Sequence, residues 1–217
     1  MNFQMSRKIR LAVFDLDGTL TAVDSLWRYL HDAFGTWEKG RISAQRYRNG
    51  EISYTEWAEA DARCWTGISV IFLSEALGTI PYRNGVKEVF DRLRHSSIKT
   101  AIVSAGLSVL ADKFAKELEA DFMEANDLEV NDGVLTGGIR VRVSVTEKGK
   151  VIREIAAKAH VCIEEVAVIG DHANDLPLDD CLKIAFHPKD ELARKKADVI
   201  VESDDLSGIL PFLGVEN

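Results

Sequence analysis

Long apolar runs, paired cysteines and surplus positive charge are scarce in this 217-residue chain, and each shortage excludes something. No stretch approaches the roughly 20 apolar residues of a membrane helix. The start Met-Asn-Phe-Gln-Met-Ser-Arg-Lys-Ile-Arg is basic, but only Leu11 to Phe14 follow before Asp15, which is too short for a signal-peptide core. A cytoplasmic protein with no membrane partner is expected. Cys64, Cys162 and Cys181 are odd in number and lack metal-ligand spacing, so they read as small buried hydrophobes in a reducing compartment. Lys and Arg number 27 against 35 Asp and Glu, a net charge of −8, which argues against nucleic acid as a partner. An anionic substrate must therefore be attracted locally, by a metal or by placed cations. Proline is sparse, and none precedes Pro81.

Against that background one segment stands out. Residues 11 to 21 read Leu-Ala-Val-Phe-Asp-Leu-Asp-Gly-Thr-Leu-Thr. A short unbroken apolar run of this kind fits a strand buried on both faces of a parallel sheet. Asp15 and Asp17 would sit at its C-terminal end. On extended backbone, side chains at i and i+2 point the same way, roughly 6.5 Å apart. Two acids so placed repel unless a cation or proton intervenes. A divalent metal is the simplest remedy, and Mg²⁺ favours one or two carboxylates, water and substrate phosphate. A plain turn reads equally well from the segment alone, since Asp, Gly and Thr all form turns. A calcium-binding loop does not, because the sixth and twelfth positions counted from Asp15 are Leu20 and Leu26 rather than Gly and Glu.

All four tryptophans, Trp27, Trp37, Trp57 and Trp65, and three of the four tyrosines fall between residues 21 and 80. Leu26, Trp27, Leu30 and Phe34 make a helical stripe ended by Gly35, Ser53-Tyr54-Thr55-Glu56 is a capping box, and Ile68, Ile71, Phe72 and Ala76 continue the pattern to Gly78. This predicts a helical cap over 21–80, inserted into a core made of 1–20 and 81–217. From Pro81 helices and strands alternate: a helix through Val86, Val89, Phe90 and Leu93, a strand at 100–103, a helix through Leu107, Leu110, Ala111, Phe114 and Leu118, and a short strand at Phe122 and Met123. Asn131-Asp132-Gly133 signals a hairpin, a small β flap within about 126–145. A helix through Val151, Ile152, Ile155, Ala156 and Ala159 precedes strands at 166–169, 183–185 and 199–201. The predicted fold class is α/β, a mainly parallel Rossmann-like sheet with helices on both faces.

In such a sheet ligands bind beyond the carboxyl ends of the strands. Three polar clusters belong there: Asp15 and Asp17; Ser104, Ala105 and Gly106; and Gly170, Asp171, Asn174 and Asp175. With Glu-Lys-Gly-Lys at 147–150 added, the order Asp-Leu-Asp-Gly-Thr, Val-Ser-Ala-Gly, Glu-Lys-Gly-Lys, Gly-Asp-His-Ala-Asn-Asp resembles the haloacid dehalogenase superfamily, and within it the phosphoserine phosphatases, over nearly the whole chain.

The resemblance implies a phosphomonoester hydrolase. Asp15 would be the nucleophile that forms an aspartyl-phosphate, and Asp17 the acid that protonates the leaving alcohol and then activates water. Mg²⁺ would be held by Asp15, the carbonyl of Asp17 and Asp171. Ser104, Ala105, Lys148 and Asn174 would bind phosphate, with Asp175 orienting the lysine or the metal shell. Lys150 rivals Lys148, Ser104 could instead cap the following helix, and His172 reads as a pocket-lining residue. The other four histidines, His31 among them, read as surface or satisfied residues. The presence of Asp17 separates a phosphatase or phosphomutase from dehalogenases and ion pumps of the superfamily.

Substrate recognition departs from the pattern. Asp24 stands where the resemblance expects a Glu that reads the substrate amine, although it could also cap the helix carrying Leu26. Asp61 stands where an arginine is expected for the substrate carboxylate, and Arg63 lies about 200° away around a helix. Asp61 shares a helical face with Trp57, Cys64 and Trp65, and is expected on an aromatic cap surface. A small phosphorylated metabolite is the expected partner, phosphoserine or another ester with a cationic or neutral remainder, acted on by a monomer or homodimer. The remaining alternative is a metal-binding interaction protein that keeps the fold without the activity.

Overall fold

The computed structural model describes residues 8–215. The predicted N-terminal limit of the core, residues 1–7, lies outside the described residues. Seven strands form one sheet in the order β4-β3-β2-β1-β5-β6-β7, with β1 at Leu11–Phe14, β2 at Lys99–Leu107, β3 at Phe122–Asn131, β4 at Val134–Arg140, β5 at Val166–Gly170, β6 at Leu182–Phe186 and β7 at Val199–Val201. Every pairing is parallel except β3 with β4.

The apolar run of β1 is continuous because both faces of the sheet are covered. Leu11 and Val13 face one layer, where they join Val103, Val168 and the Val151, Ile152, Ile155 stripe of the helix α7 at Lys148–Ala159. Ala12 and Phe14 face the other layer, and the Phe14 ring lies 4.9 Å from Phe90 of α5, Val86–His95. This is the two-residue alternation of a strand acting on both sides at once.

Between β1 and α5 lie four helices: α1 Leu26–Ala33, α2 Trp37–Arg48, α3 Tyr54–Cys64 and α4 Val70–Gly78. The capping box at Ser53 and Glu56 is present. Helix α2 escaped the sequence reading because only Gly40 and Ser43 of its residues are buried, leaving no apolar stripe. The buried face of α4 also differs from the expected one: Leu73 and Leu77 point inward, whereas Ile71 and Phe72 are exposed.

The flap is the end of a longer element. Strand β3 runs unbroken from the sheet, so Phe122 and Met123 are its beginning rather than a separate strand. Asp132 and Gly133 both take left-handed φ, 49° and 76°, the two-residue turn that suits the twist of a hairpin. The hairpin is pinned to the α3–α4 connection by Gly67 N to Leu135 O, Leu135 N to Ile68 O and Val70 N to Gly133 O, each 2.8–2.9 Å. Cys181 is buried, but Cys64 is half-buried and Cys162 exposed, which corrects the expectation that all three pack inside. Among the described residues no helix is long and apolar enough to cross a membrane.

Candidate active site

Strand order reverses between β1 and β5, so the chain leaves β1 on one side and returns on the other, and a crevice forms at the carboxyl edge there. Parallel register brings Asp15, Ser104 and Asp171 to this edge, as their positions after three buried strands predicted. A cavity of about 200 Å³ opens on it, lined by all the sequence-predicted residues: Asp15, Asp17, Asp24, Ser104, Ala105, Lys148, Asp171, Asn174 and Asp175, with His172 beside them.

Asp15 is fixed by its backbone N–H on Ile169 O, 2.9 Å, and its Oδ1 accepts from Lys148 Nζ at 2.5 Å. Lys148 is only 3% exposed, and it donates also to Asp175 Oδ1 at 2.6 Å. Lys150, two residues further along α7, is exposed. Burial alone would lower the Lys148 ammonium pKa, but Asp15 and Asp175 hold it far above its usual range. Burial pushes the Asp15 carboxyl well above the ordinary range, Asp175 adds to this, and Lys148 opposes it.

Asp17 Oδ2 accepts from Leu26 N at 2.7 Å, tying the acid to the first residue of α1, while Oδ1 is buried without a partner. Burial raises the Asp17 carboxyl to about 6, against the opposing Leu26 N–H. That value keeps a carboxyl poised to hold or release a proton near neutrality. Gly18 is required: its φ is +78°, and a Cβ there would stand 2.1 Å from Asp171 Oδ2. Its carbonyl accepts from Arg83 at 2.6 Å, a clamp on the loop that no sequence motif announced.

Asp171 is 1% exposed; Oδ1 takes the ring Nδ1 of His172 at 2.9 Å and Oδ2 has no partner. Its hydrogen bond to Asp171 raises the His172 imidazole to about 9. Asp171, His172 and Asp175 bring ligand atoms within 4.8 Å of one another. Asp175, however, is already satisfied, with Oδ1 on Lys148 and Asn174 and Oδ2 on His172 N. The open positions are therefore those of Asp15, Asp17 and Asp171, a crowded set of buried oxygens suited to a hard cation such as Mg²⁺.

Ser104 lies within β2, and its Oγ accepts from Gly106 N at 2.9 Å. It does not cap α6, Ser108–Leu118, whose preceding residue is Leu107 with no side-chain cap. The Ala105 carbonyl is held by three donors, Trp27 Nε1 at 3.3 Å, Asn126 Nδ2 at 2.9 Å and the Tyr54 hydroxyl. Asn126 is fully buried on β3 and also bonds Val143 O and N and the Tyr54 hydroxyl, so it joins β2, α3 and the segment after β4 behind the site. Sequence reasoning missed Asn126 and Tyr54; a polar residue inside a strand leaves no periodic signal.

The two cap positions behave differently from expectation. Ser25, rather than Asp24, caps α1, and Asp24 reaches Lys189 at 3.0 Å on the cavity rim. Asp61 is not on a cap surface: it is 1% exposed, accepts from Ser43 Oγ at 2.5 Å and faces His31 Nε2 at 3.1 Å. Gly40 permits this, since a Cβ there would meet the His31 ring at 2.4 Å.

A model of the haloacid dehalogenase-like hydrolases matches residues 12–178. The phosphoserine phosphatase of Archaeoglobus fulgidus is 33% identical over 96% of this chain, which spans 61% of that relative. That of Methanocaldococcus jannaschii is 28% identical over 96% of this chain and the whole of its own length. A solved structure described as a phospho-aspartyl intermediate analogue of phosphoserine phosphatase is 27% identical, with a TM-score of 0.81 over 95% of this chain and 99% of that one. The chain belongs to the haloacid dehalogenase-like hydrolase family. Within that family it is phosphoserine phosphatase-like.

Proposed function

We propose that the chain is a Mg²⁺-dependent phosphomonoester hydrolase that works through an aspartyl-phosphate at Asp15, on a small phosphorylated metabolite. The observation that carries this is the buried Lys148, which bridges Asp15 and Asp175 while Asp17 stands two residues on with an unpartnered oxygen. In this reading a carboxylate oxygen of Asp15 forms a bond to phosphorus as the bond from phosphorus to the ester oxygen breaks, and Asp17 gives that oxygen a proton. Water then attacks the phosphoryl group, returns a proton to Asp17, and frees Asp15 and inorganic phosphate. Lys148, Ser104 and Asn174, with the backbone of Ala105, hold the phosphoryl oxygens, and Asp175 positions Lys148.

The buried, unpartnered oxygen of Asp171 and the raised acids around it fit a magnesium ion held by Asp15, the Asp17 carbonyl and Asp171. When bound, the ion offsets the negative charge between nucleophile and phosphoryl group. Residues 21–80 act as a cap over the core of 1–20 and 81–217, and the acidic charge suits a cytoplasmic enzyme of small metabolites, monomeric or homodimeric. Phosphoserine is the substrate that the relatives' names suggest, with Asp24 reading its amine; the buried Asp61 favours a different ester. Phosphate release from a panel of phosphorylated metabolites, with and without Mg²⁺ and with Asp15→Asn as control, tests the activity. Release that needs both Mg²⁺ and Asp15 is expected; no release from any member would leave only a binding protein.

A further inference from the structure

The outer part of the cavity is built from aromatic rings and, among the described residues, offers no free cation. Trp27 of α1 and Tyr54 and Trp57 of α3 line it. Ring centroids of Trp57 lie 5.1 Å from Trp27 and 5.4 Å from Tyr54, so the three make one continuous surface. Five carboxyl groups, of Asp15, Asp17, Asp24, Asp171 and Asp175, line the same cavity against two cationic side chains, Lys148 and His172. Both of these are committed: Lys148 to Asp15 and Asp175, His172 to Asp171. Lys189 is tied to Asp24 on the rim and does not line the cavity. Asp61 does not line the cavity; it is turned into the cap against Ser43 and His31.

A second carboxylate on the substrate would therefore meet five acids and the rings, with no uncommitted cation and only a neutral donor, the unpartnered Trp57 Nε1–H, among the rings. An ammonium would meet the aromatic rings and the Asp24 carboxylate, whose Oδ1 pairs with Lys189 and whose Oδ2 is left to attract it. We propose that the cap selects a cationic leaving group: the substrate is the phosphate monoester of an amino alcohol that carries an ammonium and no carboxylate. The proposal rests on the phosphomonoesterase reading above. Its reaction is hydrolysis, in which the bond from phosphorus to the ester oxygen breaks, water supplies the new oxygen on phosphate, and the amino alcohol leaves with the proton from Asp17.

The test compares phosphocholine and phosphoethanolamine with phosphoserine, with p-nitrophenyl phosphate as a substrate that makes no demand on the ammonium site. Turnover is measured on the Mg²⁺-loaded chain, and binding on Asp15→Asn by tryptophan fluorescence. We expect kcat/KM for the two carboxylate-free esters to exceed that for phosphoserine by about tenfold or more, with the same order in binding. Asp24→Asn should narrow the preference, and Trp57→Leu should narrow it more than Trp57→Phe, which keeps a ring. Equal or better use of phosphoserine, by a protein that hydrolyses p-nitrophenyl phosphate through Asp15, overturns the inference and leaves the phosphatase reading standing. No turnover of any ester defeats the phosphatase reading instead. Binding then decides the inference alone: preference for phosphocholine supports it, and equal binding of phosphoserine overturns it.

Discussion

Replacing Lys148 by Met removes the one ammonium that stands between two buried carboxylates, 2.5 Å from Asp15 and 2.6 Å from Asp175. Methionine fills similar volume, so the loss is electrostatic rather than a cavity. Breaking a buried ion pair from one side typically costs about 3 to 5 kcal/mol, because the surviving charge is left without compensation. For a chain of this length that is a fall in Tm of roughly 10 °C. The cost depends on pH. Asp15 already has a folded-state pKa above its unfolded value of 3.8, chiefly through burial, with Lys148 the opposing influence. An acid raised in this way contributes stability that is complete below its unfolded pKa and is lost as pH rises through the folded one. Removing Lys148 raises the folded value further. The deficit of Lys148→Met should therefore be small near pH 5, where Asp15 can take up a proton, and grow toward about pH 8. Thermal and urea melts of the chelator-treated protein across that range measure it. A deficit below about 1 kcal/mol, or one independent of pH, would refute the role of Lys148 as buried counter-ion.

Asp17→Asn should lower turnover by about 10² to 10⁴ in a phosphate-release assay while leaving residual activity. In the metal-free protein the same change should remove a loss of stability that the wild type suffers as pH rises from the unfolded value of 3.8 through about 6, since an amide cannot ionise; unchanged pH dependence of the melts would contradict it. Gly18→Ala should weaken Mg²⁺ binding by about 10- to 100-fold in a calorimetric titration, because its Cβ would displace Asp171 Oδ2 from 2.1 Å away. Asn126→Leu should destabilise by about 1 to 3 kcal/mol in urea, since the carbonyls of Ala105 and Val143 and the N–H groups of Arg142 and Val143 lose buried partners together.

The sheet edge was legible in the sequence because each of β1, β2 and β5 is buried on both faces, so polarity changes abruptly where the chain reaches the site. The same rule placed Asp15, Ser104 and Asp171 together before any geometry was known. Lys148 was legible as a candidate alongside Lys150, but that Lys148 is the buried one of the two depends on the depth at which α7 starts. The cap was harder. Helix α2 buries two small residues and carries no stripe, and α4 turns Ile71 and Phe72 outward. Asp61 was placed on the right helix and the wrong surface, because its partners Ser43 and His31 come from two other helices and sequence spacing cannot bring them together. Asn126 could not be found at all, since one buried amide in a strand disturbs neither periodicity nor composition.

The central claim is that Asp15 becomes phosphorylated during turnover. Quenching the Mg²⁺-loaded enzyme in acid during hydrolysis of p-nitrophenyl phosphate, reducing with borohydride and sequencing the peptides by mass spectrometry tests it directly. Position 15 should be recovered as homoserine, the reduction product of an acyl phosphate, in the wild type and only after exposure to substrate. Undiminished phosphate release by Asp15→Asn, or turnover with position 15 recovered solely as aspartate, would contradict the account.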